Sequence, residues 1–345
     1  MKAPFILQES ERCEPGTKII YTSFLEENVT TPKTFHLHEC FIPLGSKEFL
    51  DKTVNEDIAF DHPVVWMDKK DDYFLFVTND HQKQNSFYYD MNTQKLHKIK
   101  IKHVYRAFFN KKTNDEELDF MATLHSLTTS NDSFYVLSKS ETSAPADKST
   151  IFSIYDPELE RPTKQYPIPA QTLAAYDKKI VFAVDQYLII VDSSSNVDYS
   201  QIRDDPHYSI HAHYGKITDL AFSQNGDYLY SASFDGYVKK WDLCKDDITF
   251  DEYFVGDSPI VSVRPSTIDN NLFVATLTDG KVCIGNFKQK DPTIHTIWQN
   301  ENEKNKDNLI LSRGVWADFS PSDPSVFVAS TINEMKVFDV DSRFF

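Results

Sequence analysis

The chain has 345 residues with 40% apolar content, enough to bury a large core, and the 52 Asp plus Glu against 36 Lys plus Arg give a net charge of −16, a field that repels phosphate backbones and argues against generic nucleic-acid binding. No stretch approaches the ~18 consecutive apolar residues of a membrane span, and the N-terminus reaches Glu9 before a signal-peptide core forms. The four cysteines, Cys13, Cys40, Cys244 and Cys283, make no C-x-x-C pair and are too few for a disulfide framework, so the chain reads as an intracellular protein with reduced thiols, and the sequons at Asn28 and Asn131 as chance matches.

In chain order, the first apolar run is Pro4 to Gln8, isolated ahead of the polar Glu9 to Gly16. Groups of strand-length runs follow at about 17–50, 58–102, 104–168 and 173–201. The second group contains Val64-Val65-Trp66-Met67, Tyr73 to Val77 and Phe87-Tyr88-Tyr89-Asp90. The third contains Phe134 to Leu137 and Ile151 to Asp156, and the fourth a hairpin of Lys179 to Val184 and Tyr187 to Asp192. Lys95 to Lys102 alternates as a strand, placing Lys98, Lys100 and Lys102 on one face, the pattern of an edge strand guarded against edge-to-edge pairing or of a groove for an acidic peptide or RNA.

The sharpest pattern lies in the fifth group, 213–250. Ile217 to Phe222, Tyr228 to Ser233 and Tyr237 to Leu243 are apolar runs separated by Asn225-Gly226 and Asp235-Gly236, pairs that supply the positive φ of tight hairpins. Groups at 259–298 and 314–345 echo it, with Asp279 at the place of Asp235 and Phe338-Asp339 at the place of Trp241-Asp242. Tyr89-Asp90, Tyr155-Asp156 and Val191-Asp192 repeat the same apolar-Asp ending. Only 9 glycines serve the whole chain, so many turns are expected to use Asn, Asp and Ser. Asn110 to Glu117, Glu141 to Thr150 and Asn300 to Asn308 read as exposed polar loops.

The stretch His211 to Leu243 resembles one WD40 repeat, and a strand pattern recurring at about 40 to 45 residues is that of a propeller. The resemblance implies an all-β, seven-bladed WD40-like β-propeller spanning 1–345 as a single domain, closed by an N-terminal strand: residues 4–8 are expected to complete the last blade. It also implies a buried relay in which Trp241 donates to Ser231, Ser231 to His213 and His213 to Asp235. Ala212 replaces the Gly usual before the His.

The same Ser, His and Asp are not read as a catalytic triad. Ser231 sits mid-strand with no G-x-S-x-G turn around it, and no P-loop, dinucleotide or H-E-x-x-H motif occurs elsewhere, so neither a catalytic residue nor a cofactor is expected. His36, His38 and Cys40 share one strand face and His207, His211 and His213 cluster in sequence, but neither set presents a full ligand complement, so no metal is expected. The WD40 resemblance implies a non-enzymatic scaffold subunit of an intracellular complex, cytoplasmic or nuclear, that binds proteins or peptides through its top face and rim. Tyr214, Lys216, Thr218 and Phe234 are the implied contacts. A ubiquitin-ligase substrate receptor is the alternative, against which Cys244 stands where such receptors often carry Arg; a propeller enzyme comes last.

Overall fold

Runs rich in Val, Ile, Phe and Tyr, broken by Asn, Asp, Gly and Ser, fold as antiparallel strands. The computed structural model describes residues 5–9, 15–24, 35–62, 64–70, 73–78, 85–101, 104–109, 134–139, 150–156, 159–192, 209–245, 247–289, 295–299, 316–321, 323, 325–330 and 335–340. Every regular element among them is a strand, and among the described residues no helix is long and apolar enough to cross a membrane. The loops expected at 110–117, 141–149 and 300–308, like Cys13, Lys102 and His207, lie outside the described residues.

The described residues form seven sheets, each a meander of consecutive strands. The first comprises β1 (Phe5–Glu9), β2 (Gly16–Phe24), β3 (Phe35–Pro43) and β4 (Leu50–Phe60), and the second β5 (Val64–Lys70), β6 (Tyr73–Thr78), β7 (Asn85–Asp90) and β8 (Lys95–Lys98). The third has β9 (Val104–Phe109), β10 (Phe134–Lys139), β11 (Thr150–Asp156) and β12 (Arg161–Pro167); the fourth has β13 (Thr172–Tyr176), β14 (Lys179–Val184), β15 (Tyr187–Asp192) and β16 (Ser209–His211). In the fifth are β17 (Ile217–Phe222), β18 (Tyr228–Ser233), β19 (Tyr237–Asp242) and β20 (Thr249–Phe254), and in the sixth β21 (Ile260–Pro265), β22 (Leu272–Leu277), β23 (Lys281–Asn286) and β24 (His295–Gln299). The seventh has three described strands, β25 (Trp316–Phe319), β26 (Val326–Ser330) and β27 (Met335–Asp339). The all-β reading with seven blade-like sheets therefore holds.

The chain divides into two compact units. One is Met1–Val65 with Thr218–Phe345, which carries the first, fifth, sixth and seventh sheets; the other is Trp66–Ile217, with the second, third and fourth. In the first unit the second strand of a sheet is buried on both faces, which is why it reads as a continuous apolar run rather than an alternating one. On β22, Phe273, Ala275 and Leu277 pack toward Tyr230, Val238 and Tyr253 of the fifth sheet. Leu272 and Val274, of opposite parity, pack toward Phe319, Phe327 and Ala329 of the seventh. On β26 the alternation repeats: Val328 turns away from that cluster to join Ile19, Tyr21, Cys40 and Ile42 of the first sheet. β20, the fourth strand of the fifth sheet, is open by contrast and exposes Thr249 to Glu252 in succession. In the second unit Tyr88 packs on Phe134 and Tyr155 of the next sheet, with ring centroids 5.9 and 6.3 Å away, and Phe152 meets Phe182 edge-on at 4.9 Å.

The N-terminal strand is present, but its partner is not the one expected. β1 pairs with β2, from Phe5 opposite Tyr21 to Glu9 opposite Thr17, and so becomes the first strand of the first sheet rather than a strand of the seventh. A connection of only residues 10–15 makes the local antiparallel hairpin the cheaper closure. The first and seventh sheets meet through side chains instead: the Val328 cluster, a 2.6 Å hydroxyl contact between Thr17 and Ser320, and the Lys47–Asp339 ion pair.

Turn chemistry follows the residues. Gly226, Gly236 and Gly280 have positive φ, and a Cβ on Gly236 would lie 2.0 Å from the Gly256 carbonyl oxygen, so only glycine fits that turn. The glycine-poor turns place Gln94, Glu160, Asp177 and Asp185 at positive φ, two of them Asp as expected and two not. The recurring apolar-Asp ending has a local cause. Asp90 Oδ1 accepts the Asn92 N–H at 2.8 Å, Asp242 Oδ1 that of Cys244 at 3.1 Å, and Asn286 Oδ1 that of Lys288 at 2.8 Å, so the side chain caps the turn into the fourth strand.

The lysine alternation outlasts its strand: β8 ends at Lys98, yet Lys98 and Lys100 are exposed and Ile99 between them is buried with its N–H on the Ser86 carbonyl, while Lys100 donates to Glu160 at 2.8 Å. On β3, His38 stacks on Tyr21 at 5.2 Å and Cys40 joins the core with Val328.

Candidate functional site

Trp241 sits in β19 at 1% exposure, where Phe250 of β20 covers its ring at 4.7 Å, and its indole N–H donates to Ser231 Oγ at 2.8 Å. Ser231 is fully buried in the middle of β18, so no substrate reaches its hydroxyl. Asp235 accepts the Tyr237 N–H at 3.0 Å and thereby shapes the β18–β19 turn. His213 belongs to the other unit and is buried at 1% exposure, with its own N–H and that of Ala212 both on the Gln186 carbonyl.

The implied partner contacts separate. Tyr214 is 86% exposed, Lys216 is exposed and Phe234 is 40% exposed at the β18–β19 turn. Thr218 is not available: it is buried, and its hydroxyl donates to the Ala232 carbonyl at 3.1 Å, because the β17 side chain at that position points into the sheet packing. Tyr214 belongs to a larger feature of its unit. β15 begins and β16 ends at a cross-strand pair, Tyr187 opposite His211, whose rings meet edge-to-face at 5.1 Å. Tyr214 adds a third ring, edge-to-face with His211 at 6.0 Å.

The loop that follows β16 and carries Tyr214 is tied down. Besides the two N–H groups on the Gln186 carbonyl, the Gln186 amide donates to the Tyr214 carbonyl at 2.9 Å and the Ile217 N–H to the Asp185 carbonyl at 2.7 Å. The Gln171 amide in turn donates to Asp185 Oδ1 at 3.2 Å and its carbonyl accepts the Asp185 N–H at 2.9 Å. Sequence reasoning missed Tyr187 as a partner of His211 because the fourth blade was ended at Gln201, before β16. The pairing of β15 with β16 is what joins residues so distant in the chain.

A second feature invisible in the sequence is a buried ion pair. Asp219 Oδ2 accepts from Arg264 Nη1 at 2.6 Å and from the Val263 N–H at 3.1 Å; Arg264 also donates to the Val263 carbonyl, and its guanidinium lies 4.7 Å from the Trp316 ring centroid. The arrangement bolts together the first strands of the fifth, sixth and seventh sheets. Nearby in the same unit, burial pushes the Asp279 carboxyl up, but donation from Lys281 and Ser258 outweighs it and holds the group below the usual carboxylate range. No set of at least three His, Cys, Asp or Glu side chains placed to hold a metal ion occurs among the described residues.

Comparison with known proteins adds to this geometry. The WD40 family profile, described as WD domain, G-beta repeat, matches residues 204–242. No curated protein matches the chain by sequence. Among solved structures, a chain in the crystal structure of a mitotic checkpoint complex superposes with a TM-score of 0.55 at 13% identity, covering 90% of this chain and 88% of that one. At that identity the likeness concerns the fold alone. In all, 1329 chains of solved structures match, a breadth that singles out no partner.

Proposed function

A divergent member of the WD40-repeat β-propeller family, this chain is, we propose, a non-enzymatic scaffold subunit of an intracellular multiprotein assembly. The observation that carries the reading is the ladder Tyr187–His211–Tyr214, a set of exposed rings at the start of β15, the end of β16 and the loop that follows, which backbone and amide hydrogen bonds fix. Exposed, preordered tyrosines supply large contact area at little entropic cost and are common anchors of protein interfaces. Phe234, 40% exposed on a tight turn of the other unit, is a second anchor. WD40 propellers typically bind protein partners, and the superposing chain itself comes from a multiprotein complex. Cys40, Cys244 and Cys283 are reduced cysteines, which agrees with a reducing compartment, and the net charge of −16 agrees with partners other than nucleic acid.

The test is purification of the tagged chain from its native source, with mass spectrometry of what accompanies it. Stoichiometric partners resistant to high salt support the scaffold. Phe234→Ala with Lys216→Glu, or Tyr214→Ala alone, should release such partners while leaving the melting temperature nearly unchanged. A chain recovered alone at physiological salt, or partners retained in full by all these variants, would count against the reading.

A further inference from the structure

Beyond the ring ladder, we propose that the outer edge shared by the second and third sheets docks an acidic segment of a partner protein, one that carries apolar side chains among its carboxylates.

The two sheets belong to one unit, and Glu160 joins their outermost strands. It immediately precedes β12 at a positive φ of 48°, and its carboxylate accepts from Lys100 at 2.8 Å and meets His97 Nδ1 of β8 at 3.3 Å. Around that junction Lys95 and Lys98 on β8 and Arg161 on β12 are exposed, and among the described residues none of the three forms an ion pair. The other unit differs: seven of its lysines, from Lys18 to Lys288, each meet a carboxylate. The acids opposite these cations in register are set back and engaged. Asp90, opposite Lys95, accepts the Asn92 N–H and the Thr93 hydroxyl at 2.8 Å each. Asp156, opposite Arg161 and 5% exposed, accepts the Leu159 N–H at 3.1 Å. The outermost described charges of this edge are therefore cations, on a chain whose net charge is −16. A screening length of about 8 Å at physiological salt lets a short segment respond to them rather than to the whole chain.

Guarding an open edge against strand addition does not account for the pattern. β12 carries Pro162 and Pro167, and proline by itself takes N–H groups out of an edge, so Arg161 is not needed there as a guard. Nor does guarding call for apolar groups. Yet Leu159 is 53% exposed beside Glu160, and Met91, 38% exposed, opens the turn that leads into Lys95. Both sit on turns capped by Asp90 and Asp156, so they are presented in an ordered backbone. Apolar side chains held beside unpaired cations fit a segment that offers both carboxylates and apolar groups.

Nucleic acid and an anionic membrane carry the same sign of charge, and the edge suits neither. Single strands are held by stacking on exposed rings, whereas here Tyr88 and Tyr155 are buried and His97 lies flat on Tyr88 at 4.7 Å. A membrane is an extended negative surface, so it meets the charge of the whole chain and not that of one edge.

The experiment is fluorescence anisotropy of the full chain with a labelled peptide of Glu-Glu-Leu repeats. Glu-Glu-Ser and Lys-Lys-Leu repeats of equal length and oligouridylate are compared in the same way, and phosphatidylserine vesicles by co-sedimentation. The Glu-Glu-Leu peptide should bind saturably, and more weakly as salt is raised. Lys95→Glu with Lys98→Glu should weaken it at least about tenfold at an unchanged melting temperature, since neither side chain has an ion pair to lose. Should that double variant melt early, Lys98→Gln alone carries the test, with a loss of about threefold. Leu159→Ser, and the exchange of Leu for Ser in the peptide, should each weaken binding about threefold or more, while Tyr214→Ala leaves it unchanged. No binding of the Glu-Glu-Leu peptide, binding unmoved by the lysine variants, equal binding of the Glu-Glu-Ser peptide, or tighter binding of the Lys-Lys-Leu peptide, the RNA or the vesicles overturns the proposal. If the peptide fails while Tyr214→Ala still releases co-purified proteins, the acidic-segment site falls and the scaffold reading stands. If the peptide binds through Lys95 and Lys98 but the native chain is recovered alone, the site stands and the scaffold reading falls.

Discussion

Asp219→Ala should be among the most damaging single changes in this protein. The carboxylate is 2% exposed, and its Oδ2 is the acceptor for both Arg264 and the Val263 N–H, itself fully buried. Removing it leaves the Val263 N–H without its acceptor and the guanidinium without its counter-charge in the packed interior, with only the Val263 carbonyl still accepting from Arg264. Breaking a buried pair from one side costs ~3–5 kcal/mol, of which an unmet buried N–H accounts for ~1–3. Arg264 keeps 16% side-chain exposure and its seat on the Trp316 ring, which together hold the loss toward the lower end, about 3 kcal/mol. Arg264→Met should cost a similar amount, since it leaves the Asp219 carboxylate buried without its cation. The double variant should cost less than the two singles added together, because no charge is then stranded, with a coupling energy of ~1–3 kcal/mol. Urea unfolding of the four proteins at neutral pH, with midpoints and slopes compared, measures this. A loss below about 0.5 kcal/mol for Asp219→Ala, or strict additivity of the pair, would refute the bolt across three sheets.

Trp241→Ala should lower stability by ~3–5 kcal/mol in the same assay, because it empties a core position and takes the donor from Ser231; a shift no larger than that of a surface variant would contradict the buried bond. Deleting residues 1–9 should lower the melting temperature and increase light scattering, since it bares the edge of β2 that β1 covers; an unchanged melt would mean that β1 contributes nothing. Alkaline pH should unfold the chain cooperatively. Burial, with a smaller contribution from Cys40, pushes the Tyr21 hydroxyl up to about 12, and burial first of all raises Tyr230 and Tyr253 as well. A raised folded pKa favours the protonated ring, so this stability is complete below the unfolded value of about 10 and is lost as pH rises past it. Absorbance at tyrosinate wavelengths should therefore rise together with the loss of circular dichroism, and gradual ionisation of a still-folded chain would contradict the burial of these rings.

What the sequence alone determined is the part governed by neighbours along the chain. Asn225-Gly226 and Asp235-Gly236 set tight turns because positive φ is a property of those residues, and the apolar runs between them had to become strands of one meander. The Asp following each aromatic was legible for the same reason: its carboxylate reaches a backbone N–H only two residues on. Tertiary structure decided whatever depended on which surfaces meet. An apolar strand such as Phe5–Glu9 fits any open edge, and only the short connection to β2 placed it in the first sheet. Thr218 and Lys216 look equally polar in the sequence, yet packing buried one and left the other in solvent. Asp219, Arg264 and Trp316 come from three sheets, and Tyr187 and His211 from two strands joined by a long connection. No local pattern encodes such meetings, because a side chain's hydrogen-bonding and ring chemistry states what it can pair with, while the stacking of sheets selects the partner.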